Sequence, residues 1–138
     1  MRAALGLALA ASCAALAGCG AGVTAGDLFL VERSGSTPHA HVTMVVDEQG
    51  GVTCNGSRKL HVSDAQLVKA RAIQEELQSA TSHHLTLPPR ARSVYRYFLR
   101  DEGGWVRFSD NSAGATRVMH ELQLYVLTVA QQVCHLPE

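Results

Sequence analysis

The amino-acid sequence predicts an α+β fold, in which an antiparallel sheet carries two helices on one face in the order β-β-β-α-β-β-α. Two observations support this prediction. Short apolar and β-branched segments are separated by turn residues, which is typical of strands joined as hairpins. Two longer segments repeat apolar residues every three or four positions, which predicts one amphipathic helix after each group of strands.

The first group contains three predicted strands. They cover residues 27–33, 41–47 and 52–54, where apolar and β-branched side chains predominate. The segment 33–38 (RSGSTP) and the segment 48–51 (EQGG) separate them, because Ser, Gly and Pro favour turns over continued strands. Short connections of this kind predict a meander of antiparallel strands.

The first helix begins with a capping signal. Ser63 precedes Gln66 by three residues, which is the spacing of a capping box. An apolar stripe of about 18 residues follows, with spacings of three and four. Its members are Leu67, Ala70, Ile73, Leu77 and Ala80. The segment 79–89 (SATSHHLTLPP) is predicted to end the helix and form a connection.

The second group repeats the arrangement with two strands and a helix. Residues 93–100 alternate clearly, so one predicted face carries Tyr95, Tyr97 and Leu99. The segment 101–104 (DEGG) predicts a hairpin turn into a strand at 105–109. The helix is predicted over about 115–132, after possible N-caps at 110–112. Its predicted buried stripe consists of Val118, Leu122, Tyr125, Val126, Val129 and Val133.

The N-terminal residues 1–18 have the pattern of a secretory signal peptide. Arg2 is followed by an apolar, Ala-rich run without acidic residues, and that run is too short for a membrane span. The string Leu16-Ala17-Gly18-Cys19 at its end resembles the lipobox of bacterial lipoproteins. The resemblance implies cleavage before Cys19 and attachment of a diacylglyceryl group to its sulfur, which is sufficient for stable anchoring.

This resemblance defines the expected organisation of the chain. The lipidated Cys19 and a flexible tether of small residues would cover 19–26, and a single α+β domain would cover 27–138. The expected location is the outer face of the cell membrane, with the membrane itself a partner through the lipid. The mature chain of about 120 residues is long enough for one core. The chain also resembles small lipoproteins of high-GC Gram-positive bacteria.

Two cysteines remain for the exported domain. Cys13 would leave with the signal peptide, whereas Cys54 and Cys134 would enter an oxidising compartment. We therefore expect a Cys54–Cys134 disulfide. Free thiols or a Cys/His metal site are the alternative, but neither cysteine has a C-x-x-C partner of the kind that structural zinc sites usually show.

Charge and motifs argue against several function classes. Twelve Lys and Arg balance twelve Asp and Glu, so the basic footprint of a nucleic-acid-binding protein is missing. Four arginines between Arg90 and Arg100 are spaced as on a solvated face. The sequence contains no G-x-S-x-G, H-E-x-x-H or phosphate-loop motif, so we expect neither an enzyme nor a cofactor. His39 and His41 would share a face if both lay on a strand, which leaves metal binding open.

Short strings along the predicted domain are similar to those of a known family. They are Arg33-Ser34-Gly35, Tyr95-Arg96-Tyr97, Asp101-Glu102-Gly103-Gly104 and Phe108-Ser109-Asp110. With the order of elements over residues 27–133, they resemble emfourin, a small bacterial protein inhibitor of thermolysin-like metalloproteases. Ser36 stands where the family string continues with a second glycine.

The emfourin resemblance implies a non-catalytic domain that binds a protein, with a peptidase as the partner. The segment from Arg33 to Pro38 is the expected contact, because protein inhibitors often engage an enzyme through an exposed loop. Arg33, Ser34 and Gly35 are the candidate partner-binding residues, although the sequence leaves open whether this loop is free or packed. The alternative function is an envelope lipoprotein that binds a small ligand or a metal.

Overall fold

The computed structural model describes residues 22–137, and these form six strands and two helices. The strands pair in the order β4-β3-β2-β1-β5-β6, and every neighbouring pair is antiparallel. The predicted α+β fold is confirmed. The elements are β1 Asp27–Gly35, β2 Val42–Asp47, β3 Gly51–Cys54, β4 Leu60–His61, α1 Asp64–Ser82, β5 Tyr95–Asp101, β6 Gly104–Ser109 and α2 Arg117–Gln132.

The central strand β1 determines the two faces of the sheet. Val31 lies opposite Met44 of β2 and Leu99 of β5, and all three are fully buried. Cross-strand partners in an antiparallel pair point to the same face. The next residues along β5, Phe98 and Arg100, therefore point to the opposite face, which confirms the alternation predicted for this strand.

Both helices pack on the face that carries Val31. The predicted capping box is present: Gln66 N–H donates to Ser63 Oγ at 3.3 Å, and Ser63 N–H donates to Gln66 Oε1 at 2.9 Å. On α2, the ring of Tyr125 meets Phe29 edge to face at 6.2 Å between centroids. The buried residues of the two helices are Ala70, Ile73, Leu77, Thr81, Val118, Met119, Leu122, Tyr125, Val126, Val129 and Ala130.

Several predicted boundaries were wrong. Strand β4 has two residues, too few to show any alternation in the sequence. Helix α1 continues to Ser82 because Thr81 is buried and its hydroxyl donates to Asp101 Oδ2 at 2.8 Å. Helix α2 begins at Arg117 after an N-cap without a side-chain bond. The predicted cap Ser112 is instead buried, and its hydroxyl donates to the Leu87 carbonyl at 3.1 Å.

The start of the chain is described in part. The predicted signal peptide and Cys19 lie outside the described residues. Residues 24–26, predicted to belong to the flexible tether, form a hydrogen-bonded turn: Thr24 N–H donates to Asp27 Oδ2 at 2.8 Å, and Gly26 carbonyl accepts from Glu48 N–H at 2.9 Å. Any flexible tether therefore ends before Thr24.

The predicted disulfide between Cys54 and Cys134 is present, with Cα atoms 6.2 Å apart. It joins β3, near one edge of the sheet, to the segment that follows α2. The two half-cystines are 80 residues apart in sequence. The bond therefore closes most of the domain into one covalent loop, which limits the conformational freedom of the unfolded chain.

We expect reduction of this bond to lower the free energy of unfolding by about 4 kcal/mol, from the loop-entropy relation. The measurement is denaturant unfolding of the oxidised protein with and without reductant, and a Cys54→Ala, Cys134→Ala variant serves as a matched control that reductant cannot change. An equal unfolding midpoint for the oxidised and reduced protein would contradict this expectation.

Asp47 stabilises the turn between β2 and β3. Its Oδ1 accepts from the N–H groups of Gln49 at 2.9 Å and Gly51 at 2.7 Å, and its Oδ2 accepts from Lys59 Nζ at 2.8 Å. The Lys59 ammonium, together with the two backbone donors, holds the pKa of Asp47 below its ordinary value against the smaller opposing effect of burial. The ionised form of Asp47 is therefore stabilised more in the folded chain than in the unfolded chain.

The lowered pKa predicts the sign of a pH dependence. Because the folded state binds the Asp47 proton less tightly than the unfolded state, the stabilisation is complete above about pH 4 and is lost as the pH falls through the folded-state pKa. An Asp47→Asn variant should lose less stability than the native chain on acidification, in unfolding curves measured from neutral pH to about pH 3. Parallel pH profiles for the two chains would show that Asp47 does not contribute.

Candidate functional site

Arg33 is buried, although the sequence placed it at the start of an exposed turn. The β1 register puts it opposite Val42 and Tyr97 on the helix-covered face, with 6% of its surface exposed. Its Nε donates to the Ala40 carbonyl at 2.9 Å, and its Nη2 donates to the His39 carbonyl at 3.3 Å. The guanidinium thereby bridges β1 to the residues that lead into β2.

The residues between these contacts form an exposed loop. We call residues 34–39, which are the last two residues of β1 and the turn that follows, the Arg33 loop; all six are exposed. Its backbone is fixed at several points, because Ser36 N–H donates to the Val94 carbonyl at 3.3 Å and Ala40 N–H donates to the Thr37 carbonyl at 3.2 Å. His39 has a φ angle of 60°, which lies in the left-handed region that residues other than glycine seldom adopt.

The three predicted contact residues lie in different environments. Arg33 is buried, whereas Ser34 is exposed and, by alternation along β1, points to the face opposite the helices. Gly35 lies close to β5: a Cβ there would stand 2.4 Å from the Val94 carbonyl oxygen, so this position requires glycine. Arg33 and Gly35 therefore shape the loop, and a role of the three residues in partner binding stays a prediction.

A cleft of about 490 Å³ separates the sheet from α2 beside Arg33. We call it the Arg33 cleft. Among the described residues, none that lines it is acidic. The sheet contributes Arg33, Tyr95 and Tyr97. The residues that α2 contributes are His120, Gln123, Leu124, Leu127, Ala130 and Gln131. The guanidinium carbon of Arg33 lies 5.0 Å from the centre of the Tyr95 ring, a cation–π contact that holds both side chains in place.

The polar groups of the Arg33 cleft include hydrogen-bond acceptors as well as donors: the Tyr95 hydroxyl accepts from Thr37 Oγ1 at 3.3 Å. Arg33 has no carboxylate within ion-pair distance among the described residues. Burial raises the pKa of Tyr97 to about 12, against a smaller opposing effect of the Arg33 charge, so its hydroxyl keeps its proton at neutral pH. The Nε2 of Gln123 is buried and has no acceptor among the described residues.

The opposite face of the sheet carries a second group of cationic and aromatic side chains. The guanidinium of Arg107 lies over Phe98 at 5.0 Å and over Trp105 at 4.7 Å. Trp105 pairs with Arg100, so it lies on the face opposite Tyr95 and Tyr97.

Residues 22–137 contain no group of three or more His, Cys, Asp or Glu side chains placed to hold a metal ion. His39 lies in the Arg33 loop, and the exposed His41 has Nε2 3.4 Å from Thr43 Oγ1. Cys54 and Cys134 are joined to each other. A search of the same residues for a helix long and apolar enough to cross a bilayer found none.

Comparison with protein-family models, curated proteins and solved structures found no match. The resemblances to emfourin and to bacterial lipoproteins therefore stay predictions from the sequence. The functional argument depends on the geometry of the Arg33 loop and the Arg33 cleft.

Sequence reasoning missed the cleft residues on α2. Leu124 and Leu127 are exposed by 64% and 41%, and they lie outside the buried stripe of this helix. Leucines outside the buried face of an amphipathic helix could have indicated that this helix makes a second apolar contact. Gln123 gave no signal, because a glutamine beside a buried stripe is usually solvated.

The bracing role of Arg33 predicts a loss of stability on substitution. Arg33→Met should lower the free energy of unfolding by roughly 1–3 kcal/mol, because the carbonyls of His39 and Ala40 lose their donor. Arg33→Lys should recover little of this, since an ammonium lacks the planar fork that reaches two carbonyls. The measurement is denaturant unfolding, with the exposed Arg58→Met as the control. Equal stability of the Arg33→Met and Arg58→Met variants would contradict the role.

Proposed function

We propose that the protein is an exported, lipid-anchored, non-catalytic domain that binds a protein partner through the Arg33 loop. The main support for the proposal is that the six residues of the loop are exposed while Arg33 holds the end of the loop in place. Its guanidinium donates to the carbonyls of His39 and Ala40. A loop already held in one conformation loses little entropy when it binds, so its contacts contribute more fully to affinity.

A peptidase is the partner that fits this loop and the emfourin resemblance together. Protease inhibitors present rigid loops whose backbone changes little on binding. In this proposal, Arg33 positions the loop, and the exposed side chains of Ser36 and Thr37 make the contact. The positive φ of His39 is consistent with a loop held in a strained conformation for binding.

The anchor part of the proposal depends on the sequence around Cys19. A diacylglyceryl group there would hold the domain at the outer face of the cell membrane, a few residues before the turn that begins at Thr24. The disulfide is consistent with this exported location, because such bonds persist in oxidising compartments.

A small ligand is the second candidate partner, and the Arg33 cleft favours it. Its volume of about 490 Å³ lies in the range of small-molecule sites. This candidate does not exclude the first, because no loop residue lines the cleft; the two surfaces adjoin where Thr37 Oγ1 donates to the Tyr95 hydroxyl at 3.3 Å.

Inhibition of a purified thermolysin-like metalloprotease by the mature, oxidised protein tests the proposed function. We expect inhibition, and we expect Ser36→Arg to weaken it by roughly tenfold or more, because a long charged side chain would stand in the contact. Ser79→Arg, on the exposed surface of α1, is the matched control and should inhibit like the native chain. Full protease activity at a large excess of the protein, or equal inhibition by both variants, would contradict the proposal.

A further inference from the structure

The Arg33 cleft combines a buried cation with a lining that contains no acidic side chain among the described residues. A guanidinium carries five N–H groups. Carbonyl oxygens of His39 and Ala40 accept from Nη2 and Nε of Arg33. The Tyr97 hydroxyl lies beside the same guanidinium. No carboxylate of the described residues pairs with Arg33, so a negatively charged acceptor would match it.

The energetics favour an anion over water at this position. A buried charge without a counter-charge is costly, because protein dipoles replace only part of the solvation it loses. The Tyr95 ring and two carbonyls offset some of this cost for Arg33. A carboxylate would offset more, since its two oxygens match the fork of a guanidinium and form charge-assisted hydrogen bonds.

The rest of the Arg33 cleft fits an apolar group. Leu124 and Leu127 line it from α2 and are exposed by 64% and 41%, which is high for leucine in a folded domain. The Tyr95 ring lines it from the sheet. An anion with a short aliphatic body would cover these side chains while its charged end reaches Arg33. A fully hydrated dianion such as phosphate would leave the leucines exposed.

We infer that the Arg33 cleft binds an aliphatic carboxylate, with Arg33 holding the carboxylate and Leu124 and Leu127 covering the aliphatic body. Such a ligand is a small branched or linear acid or the C-terminal residue of a peptide, which present the same chemistry. The inference rests on the second candidate function, a small ligand in the Arg33 cleft, and is separate from protein binding, because it requires no contact of the Arg33 loop with a protein. Failure of either one therefore leaves the other standing.

The test is a titration of the mature, oxidised protein with isocaproate, followed by nitrogen–proton correlation NMR. Isocaproamide is the matched neutral probe, since it has the same aliphatic body. We expect saturable shifts of the Arg33 Nε–H signal with isocaproate, and binding at least roughly tenfold weaker with isocaproamide. The absence of a saturable shift with any carboxylate probe, or an equal response to both isocaproate and isocaproamide, would overturn the inference.

A peptide pair separates the two sources of the carboxylate. An acetylated tripeptide ending in leucine is compared with its C-terminal amide. Tighter binding of the free-acid peptide than of isocaproate would support the inference and assign the site to peptide C-termini. Tighter binding of isocaproate would support it and assign the site to a small acid.

Variants at exposed positions keep the test independent of folding. Leu124→Glu should weaken isocaproate binding by roughly tenfold or more through like-charge repulsion at the mouth of the cleft, whereas Leu124→Gln should weaken it less. Val68→Glu is the matched control, because Val68 on α1 is also 64% exposed and lies outside the cleft. Unchanged binding to the Leu124→Glu protein would overturn the inference.

An acidic residue of the chain itself is the competing occupant. Glu138 follows Pro137, which lines the cleft, and Glu138 lies outside the described residues. Binding of isocaproate to the native chain and to a Glu138→Gln variant with similar affinity would support an external ligand. Binding to the variant alone would overturn the inference and assign the cleft to Glu138.

Discussion

The guanidinium of Arg33 is the contact on which the candidate functional surfaces depend. It is buried on the helix-covered face of β1, where a neutral apolar side chain would be the ordinary choice. Its hydrogen bonds to the carbonyls of His39 and Ala40 fix the loop above it, and its contact with Tyr95 fixes one wall of the cleft beside it. One side chain thus sets the shape of both surfaces. A buried cation is costly, and no carboxylate of the described residues pairs with Arg33, so its contacts with the two carbonyls and the Tyr95 ring offset part of that cost.

The remainder of the domain supplies a rigid frame for this contact. Strand β1 lies in the middle of the sheet, and its buried residues contact β2 and β5 on either side. The Cys54–Cys134 bond ties the far part of the sheet to the end of α2, which is the helix that forms the other wall of the cleft. The position of α2 relative to the sheet is therefore constrained both by packing, as in the Phe29–Tyr125 contact, and by a covalent bond.

Local patterns in the sequence were sufficient for the parts of the fold that depend on local physics. The capping box at Ser63, the alternation of β5 and the disulfide pairing were all predicted correctly, because each depends on short spacings or on counting cysteines. The burial of Arg33 could not be predicted, since a charged residue before Ser-Gly is normally solvated and its acceptors lie six and seven residues away. The extension of α1 to Ser82 depends on the Thr81–Asp101 hydrogen bond between distant segments. The position of Gln123, Leu124 and Leu127 in the cleft could not be predicted either, because it depends on how α2 packs over the sheet.

The central claim is that Arg33 is held in one buried conformation by backbone carbonyls. The most direct measurement is the exchange of the Arg33 Nε–H proton with water at neutral pH, followed by NMR of the oxidised protein, with the exposed Arg58 as internal reference. The account predicts a resolved, slowly exchanging Arg33 signal with through-space contacts to Ala40 and Tyr95, while the Arg58 signal exchanges rapidly. An Arg33 proton that exchanges as fast as that of Arg58 would contradict the account, because the loop and the cleft would then lack the side chain that shapes them.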